Sequence, residues 1–381
     1  MVQAQTQHGV LPEASSDEAA RQEFVVAYRR HVQTQLLPGN RKIYDNRVEP
    51  KFIRGHNRPP KNRHEVRRVM EADPFYQMYG SLLFTSQELM WDAVGSSVER
   101  QLPDLIKKAK NANGTGGTLR LDPDFKTPRY LAAIDHHAMP GSYCQELAED
   151  DVYAGAVYDR GAYMYAMGLK GPLHDDLGVK LCEYIGERHP DIKPSRILDM
   201  GCTVGHSTIP FVDTYPEADV QAIDAAAALL RYAHARSELL GKKVHYSQQN
   251  AEHTDFDDGA FDMVVSHVLM HETSLKAMKN ILRECHRLLR PGGWMFHVEV
   301  PFRYVDLDPY WQFLRDWSTR GNHEPFWGTI NELDLEKVVT EAGFPKESFF
   351  QRYQQSSFGQ EHFKGGAYSG GQWFLYGAQK A

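Results

Sequence analysis

The chain has 381 residues, 41% hydrophobic and 24% charged, which is enough apolar material for a sizeable core in two or three domains, or in one α/β domain with a long extension. A net charge of −7 argues against a globally basic nucleic-acid binder. The four cysteines (Cys144, Cys182, Cys202 and Cys285) are scattered without metal-type or redox-type spacing, so no metal site is expected and free thiols in a reducing compartment are.

No apolar run is long enough to span a bilayer, and Met1-Val-Gln-Ala-Gln-Thr6 is polar. The expectation is a cytoplasmic protein without a membrane partner. Residues 1–14 are expected to be disordered. Ser15-Ser-Asp-Glu18 is a capping-box pattern. It opens an amphipathic helix with Phe24, Val25, Tyr28, Val32 and Leu36 at helical spacing, which Pro38-Gly39 should stop. Residues 41–68 form a basic segment, ten Lys and Arg against three acids, with Pro50, Pro59 and Pro60. It reads as an irregular strap that faces water, or as a surface for an anionic partner such as RNA. One further helix is expected over 63–70, with room to resume after Pro74. Another should begin at a second capping box, Thr85-Ser-Gln-Glu88, and Asn111-Ala-Asn-Gly-Thr-Gly-Gly117 should break the chain.

Residues 128–168 are rich in rings, with Tyr130, His136, His137, Tyr143, Tyr153, Tyr158, Tyr163 and Tyr165 close together. They line a pocket or pack a seam. A helix over 177–187 follows. From Arg196 strands alternate with helices: strands at 196–200, 219–223, 243–247, 261–266 and 294–300, with helices at 206–213, 226–240 and 274–289 between them. Such alternation implies a parallel sheet covered by helices on both faces. Residues 301–331 are too long and too aromatic for a plain connection, and a helix at 333–342 and strands at 349–353 and 372–378, joined by a Gly-rich loop, close the chain.

The stretch Arg196-Ile-Leu-Asp-Met-Gly-Cys-Thr-Val-Gly-His-Ser207 is strand, tight loop, helix. A loop of this kind aims backbone N–H groups at a ligand beyond the strand end. A dinucleotide fingerprint needs G-x-G-x-x-G. Here Asp199 precedes Gly201, and Gly205 follows at G-x-x-x-G spacing. A carboxylate there repels a phosphate and suits a ligand with a cationic amino group.

Residues 177–300 resemble the class I S-adenosylmethionine-dependent methyltransferases. The resemblance rests on Ile197-Leu-Asp-Met-Gly-Cys-Thr-Val-Gly205, on Asp224 at the second strand's end, on Phe261-Asp-Met-Val-Val-Ser266 and on Leu288-Leu-Arg-Pro-Gly-Gly293, in that order. It implies a Rossmann-like, seven-stranded α/β sheet with helices on both faces, behind an N-terminal mainly helical extension. The domains would be an N-terminal helical region for capping or dimerisation at 1–127, an aromatic connecting or lid segment at 128–176, and the cofactor-binding domain at 177–381 with its insertion at 301–331. The implied cofactor is S-adenosyl-L-methionine. Asp199 and the loop Gly201, Cys202, Thr203 and Gly205 would face its methionine part, with His267 beside it. Asp224, followed by Ala225, would accept from the ribose hydroxyls, and Asn250, Ala251 and Glu252 would lie by the adenine. Thr203 departs from the family, which has glycine there, and its Cβ narrows the approach of the backbone.

Methyl transfer from a sulfonium needs orientation and, for a hydroxyl acceptor, a general base. Position singles out His267, His271 and His137 from the 18 histidines, with His136 and Glu299 close by. The two aromatic segments suggest an enclosed site for a small organic acceptor, O-methylation being favoured over N- or C-methylation. RNA or protein methylation, and a repurposed binding protein without methyl transfer, are the alternatives. A homodimer through the N-terminal region is expected as a possible assembly.

Overall fold

A computed structural model describes residues 4–301, 303–357 and 371–381 of the chain. Its strands are β1 (Thr118–Arg120), β2 (Arg196–Met200), β3 (Asp219–Asp224), β4 (His245–Gln248), β5 (Phe261–His267), β6 (Leu289–Glu299), β7 (Phe350–Gln355) and β8 (Gln372–Gln379). They form one sheet in the order β1-β4-β3-β2-β5-β6-β8-β7. Neighbours from β1 to β6 are parallel, and β8 and β7 add antiparallel edges. All seven residues of β5 are buried, as a central strand covered on both faces requires, whereas β7 alternates half-buried and exposed, as an edge does. Helices Asp176–Arg188 and Ile209–Thr214 cover one face through Leu181, Ile185 and Phe211. Helices Leu275–Leu288 and Leu335–Glu341 cover the other through Met278, Ile281, Leu282 and Val339. The strand order reverses between β2 and β5, which opens a crevice at their carboxyl ends.

The sheet has eight strands where seven are expected. The extra one, β1, is three residues long and pairs Thr118 with His245. It is too short to show a period in the sequence. The N-terminal region also differs from expectation. The Ser15–Glu18 capping box forms, but Pro38 does not stop the helix. The chain passes through a π turn at Val32–Leu36 and continues helically to His56, ending on Asn57 in the left-handed conformation. Pro38 falls in the first turn of the segment Leu37–Ile43, where its missing N–H is not needed. Gly39 leaves room for the Phe75 ring, which a Cβ would strike. Thr85 starts no helix either: it lies inside Pro74–Asn111, whose N-cap is Asp73, accepting from Phe75 N at 2.9 Å.

Basic residues 41–68 are therefore helical for the most part, and several of their arginines are in ion pairs. Arg47 pairs with Asp73, Arg58 with Glu65, and Arg63 and Arg67 reach Asp316 of the aromatic insertion. Val32, Tyr44, Val66 and Tyr79 pack with Tyr310, Phe313 and Leu314 of that insertion. Phe302 and the Gly-rich loop before β8 lie outside the described residues. No helix is long and apolar enough to cross a membrane among the described residues.

Residues 4–11 are not a loose tail. Gln5, Val10 and Leu11 are buried, and His8 Nε2 lies 3.0 Å from Asp159. Asp159 is 1% exposed. It also meets Gln5 Nε2 (2.9 Å), His206 Nε2 (2.8 Å), the Tyr232 hydroxyl (2.9 Å) and Arg236 Nε (3.3 Å). Replacing it by Asn leaves Arg236 buried without its counter-charge. Asp159→Asn is expected to lower stability by about 3–5 kcal/mol, read as a shift in the urea midpoint at unchanged slope.

Candidate functional site

A cavity of about 240 Å³ lies over the carboxyl ends of β2, β3 and β5. The glycine loop forms one wall. Gly201 has a φ of 72°, and its N–H and that of Cys202 donate to Ile223 O. Thr203 sits at φ 48°, in the left-handed region that its branched side chain disfavours. It is held there because its N–H donates to Asp224 Oδ2 at 3.0 Å and its hydroxyl hydrogen-bonds Tyr158. Asp224 Oδ1 accepts from Ala226 N at 3.0 Å. Burial raises the Asp224 carboxyl to about 6, against the pull of those N–H groups.

Asp199 is buried at the end of β2. One oxygen accepts from the Thr208 hydroxyl at 2.6 Å. The other, Oδ1, has no hydrogen-bond partner, and His267 Nδ1 stands 3.4 Å from it. A buried carboxylate oxygen without a donor is costly. An ammonium group in the cavity would satisfy it, and the Asp224 carboxylate beside the loop is suited to vicinal hydroxyls. The residues present thus fit an amino-acid nucleoside.

The second half of the cavity is a histidine–glutamate cluster. His271, after β5, places Nδ1 2.6 Å from Glu299 Oε2 at the end of β6, and Glu299 Oε1 accepts from Met270 N. His137, from the aromatic segment, places Nε2 2.8 Å from Glu272 and Nδ1 3.1 Å from Glu324. Burial alone would lower both imidazoles. The surrounding carboxylates win: His271 is raised to about 9 with Glu299 as the main cause, and His137 well above its ordinary value by Glu272 and Glu324. Reciprocally, Glu272, which burial would raise, is drawn down to about 2 by His137. Oε2 of Glu272 and Oε2 of Glu324 have no hydrogen-bond partner. Tyr143, Tyr158, Tyr165 and Trp327 line the surrounding walls.

Of the residues singled out from the sequence, Asp199, Gly201, Cys202, Thr203, Asp224, Ala225, Asn250, Ala251, His267, His271 and His137 all line this cavity. Gly205 and Glu252 do not. Gly205 is glycine because a Cβ would fall 2.5 Å from the Tyr246 hydroxyl at a φ of 78°. Glu252 accepts from Asn280 Nδ2 at 2.8 Å, and Asn250 Oδ1 closes a turn by accepting from Glu252 N. His136 is buried behind the cluster, and burial lowers its pKa. Glu272 and Glu324 had no part in the sequence reading. Glu272 adjoins His271, a usable signal; Glu324 sits among aromatics 301–331 with none.

A family model described as a methyltransferase domain matches residues 197–293. An uncharacterized methyltransferase of Synechocystis sp. is 29% identical over 151 residues, which are 39% of this chain and 66% of that one. A malonyl-[acyl-carrier protein] O-methyltransferase of Dechloromonas aromatica is 30% identical over 152 residues, 36% of this chain and 53% of that one. The chain thus spans less than two thirds of the length of these relatives. Phosphoethanolamine N-methyltransferase 2 of Haemonchus contortus, solved with S-adenosyl-L-methionine, aligns with a TM-score of 0.43 at 16% identity over 58% of this chain and 57% of that one.

The histidines give stability two opposed pH slopes. His271 has its folded value, about 9, above the ordinary 6.5, so its contribution is complete below 6.5 and lost as pH rises towards 9. Burial pushes His206 down to about 4 and His297 to about 3, so the contribution of keeping them neutral is lost as pH falls below 6.5. Thermal scans across pH should therefore show melting temperature falling on both sides. In Glu299→Gln the alkaline fall becomes shallower and the acid fall stays.

Proposed function

We propose, from the class I S-adenosylmethionine-dependent methyltransferase domain that this chain carries, that the protein methylates a small organic acceptor bound in the same cavity as the cofactor. One observation carries the reading. The cavity that holds Asp199 and Asp224 continues into the His137–Glu272–Glu324 cluster, so a donor site and a proton-accepting site share one enclosed space.

When bound, S-adenosyl-L-methionine supplies a methyl group on a sulfonium. Asp199 Oδ1 would hold the ammonium of its methionine part, Asp224 would accept from the ribose hydroxyls, and Asn250 and Ala251 would flank the adenine. His267, whose ring nitrogens have no hydrogen-bond partner, would orient the methionine part together with Asp199. The chain's contribution to the displacement is alignment and exclusion of water. His137 and His271 are held protonated, so the base is a carboxylate and not an imidazole. Glu324 Oε2, which has no hydrogen-bond partner, is placed to take the proton of an acceptor hydroxyl. This favours O-methylation.

The remaining parts fall into place around the cavity. Residues 1–127 cap it: Gln33, Leu37, Tyr79 and Leu83 are among its lining. Residues 128–176 supply His137 and four tyrosines, and residues 177–381 bind the cofactor, with the insertion contributing Leu314, Trp317 and Trp327. Arg58, Arg63 and Arg67 are held in ion pairs. Those three charges are thereby less free for a nucleic-acid acceptor.

Calorimetric titration with S-adenosylhomocysteine tests the cofactor site. Asp224→Ala should weaken binding roughly tenfold or more, since two hydrogen bonds to a charged group are lost. Binding of NAD in place of the adenosyl ligand would sink the reading. For the chemistry, Glu324→Gln is expected to lower kcat by about 10²–10⁴-fold on a screened hydroxyl acceptor while leaving S-adenosylhomocysteine affinity unchanged. An unaltered kcat would remove Glu324 from the proton transfer.

A further inference from the structure

The acceptor cavity contains a buried cation that methyl transfer does not use. Arg29 lies near the end of helix Ser16–His31, is 2% exposed, and contributes to the cavity wall. Its Nε donates to Tyr165 O at 3.1 Å, and Nη1 to Ser86 Oγ at 3.3 Å and Gln87 Oε1 at 3.5 Å. Its guanidinium carbon stacks 3.9 Å over the Tyr165 ring. Every one of these partners is uncharged. Tyr165 O, at its helix C-terminus, adds only a partial charge of about half a unit. Arg236, another deeply buried arginine, is answered by Asp159.

A guanidinium taken out of water without a full counter-charge is costly. One role for Arg29 is purely structural, tying three helices together. That role needs the hydrogen bonds but not the charge, which a neutral side chain would avoid burying. The position argues for more. The Tyr165 ring that Arg29 covers is also 6.1 Å from the His137 ring. Gln87 donates to both His137 O and Asn322. Arg29 and the histidine–glutamate cluster therefore flank a single ring, and Leu83, Trp91 and Tyr79 line the same cavity.

We propose that Arg29 is the anchor for a carboxylate on the acceptor. The acceptor is then a small carboxylic acid with an apolar body: its acid group on Arg29 Nη2, its body along Tyr165, Tyr79 and Leu83, and its methyl-accepting group at the His137–Glu324 cluster. Nε and Nη1 are engaged, which leaves the two N–H groups of Nη2 to donate to the carboxylate in charge-assisted hydrogen bonds. This inference rests on the reading of the cavity as the acceptor site of a methyltransferase. It makes Arg29 a specificity-determining residue.

The test uses the full chain saturated with S-adenosylhomocysteine and three matched pairs of probes: 3-phenylpropanoate and its amide, 4-hydroxycinnamate and its amide, octanoate and its amide. At least one acid is expected to bind about tenfold or more tightly than its amide, the difference a hydrogen-bonded charge pair supplies. Arg29→Gln should abolish that preference with S-adenosylhomocysteine affinity intact, and Arg29→Lys should restore part of it. If Arg29→Gln fails to fold, Gln33→Glu, one helical turn on and also in the cavity wall, supplies an internal carboxylate and should abolish the preference instead. Three pairs without acid preference in the wild type, or a preference that survives in the folded variants, overturn the proposal. Loss of S-adenosylhomocysteine binding by the wild type would instead overturn the broader methyltransferase reading.

Discussion

The Asp159 carboxylate is the interaction on which the placement of the site depends. A buried anion must be met by donors from whatever packs around it. Here they come from residues 4–11, from helix Ala227–Leu239 and from the end of the glycine loop, through His8, Tyr232, Arg236 and His206. Burial would raise this acid, and His206 and Arg236 instead hold it well below its ordinary range. The consequence reaches the cofactor loop directly, because His206 follows Gly205. Loop, helix Ala227–Leu239 and N-terminal segment are thereby fixed against one another by a single charge.

The cavity that results is organised by alternating charge. Asp199 and Asp224 stand at one part of it, the His137 and His271 imidazoliums with their glutamates at the next, and Arg29 beyond Tyr165. Each group is shifted or held by its neighbours. Glu272, one of the carboxylates that raise the histidines, is itself drawn down by His137. Such mutual support lets several charges lie in a space with little water, where any one alone would neutralise or leave. It also divides the labour: oxygens of Asp199, Glu272 and Glu324 that accept no hydrogen bond are the ones that ligands and protons would meet.

Much of the fold was legible because it is local. The strand–loop–helix at Asp199 to Gly205, Asp224 at the end of β3 and the capped helix before β6 each carry their signal within a few residues, through periodicity, glycine and cap chemistry. The elements that were misread are those where packing overrides local preference. Pro38-Gly39 looks like a stop, yet the helical path continues because Gly39 admits Phe75 and Pro38 falls at a first turn. Thr85 looks like a cap, yet tertiary contacts keep Pro74–Asn111 helical through it. Strand β1 is too short to announce itself.

The sequence by itself determined the parallel sheet, the cofactor crevice and the acids at its rim, since strand order and strand-end chemistry follow from alternation and handedness. It could rank histidines but not say what state they are in. The tertiary structure decided that His137 meets Glu324 from 187 residues further along the chain, that neighbouring carboxylates raise the His137 and His271 imidazoles, and that residues 4–11 close on Asp159. These are properties of distance and dielectric between segments remote in sequence. No periodicity encodes them, because the energy of a charge depends on what surrounds it in space.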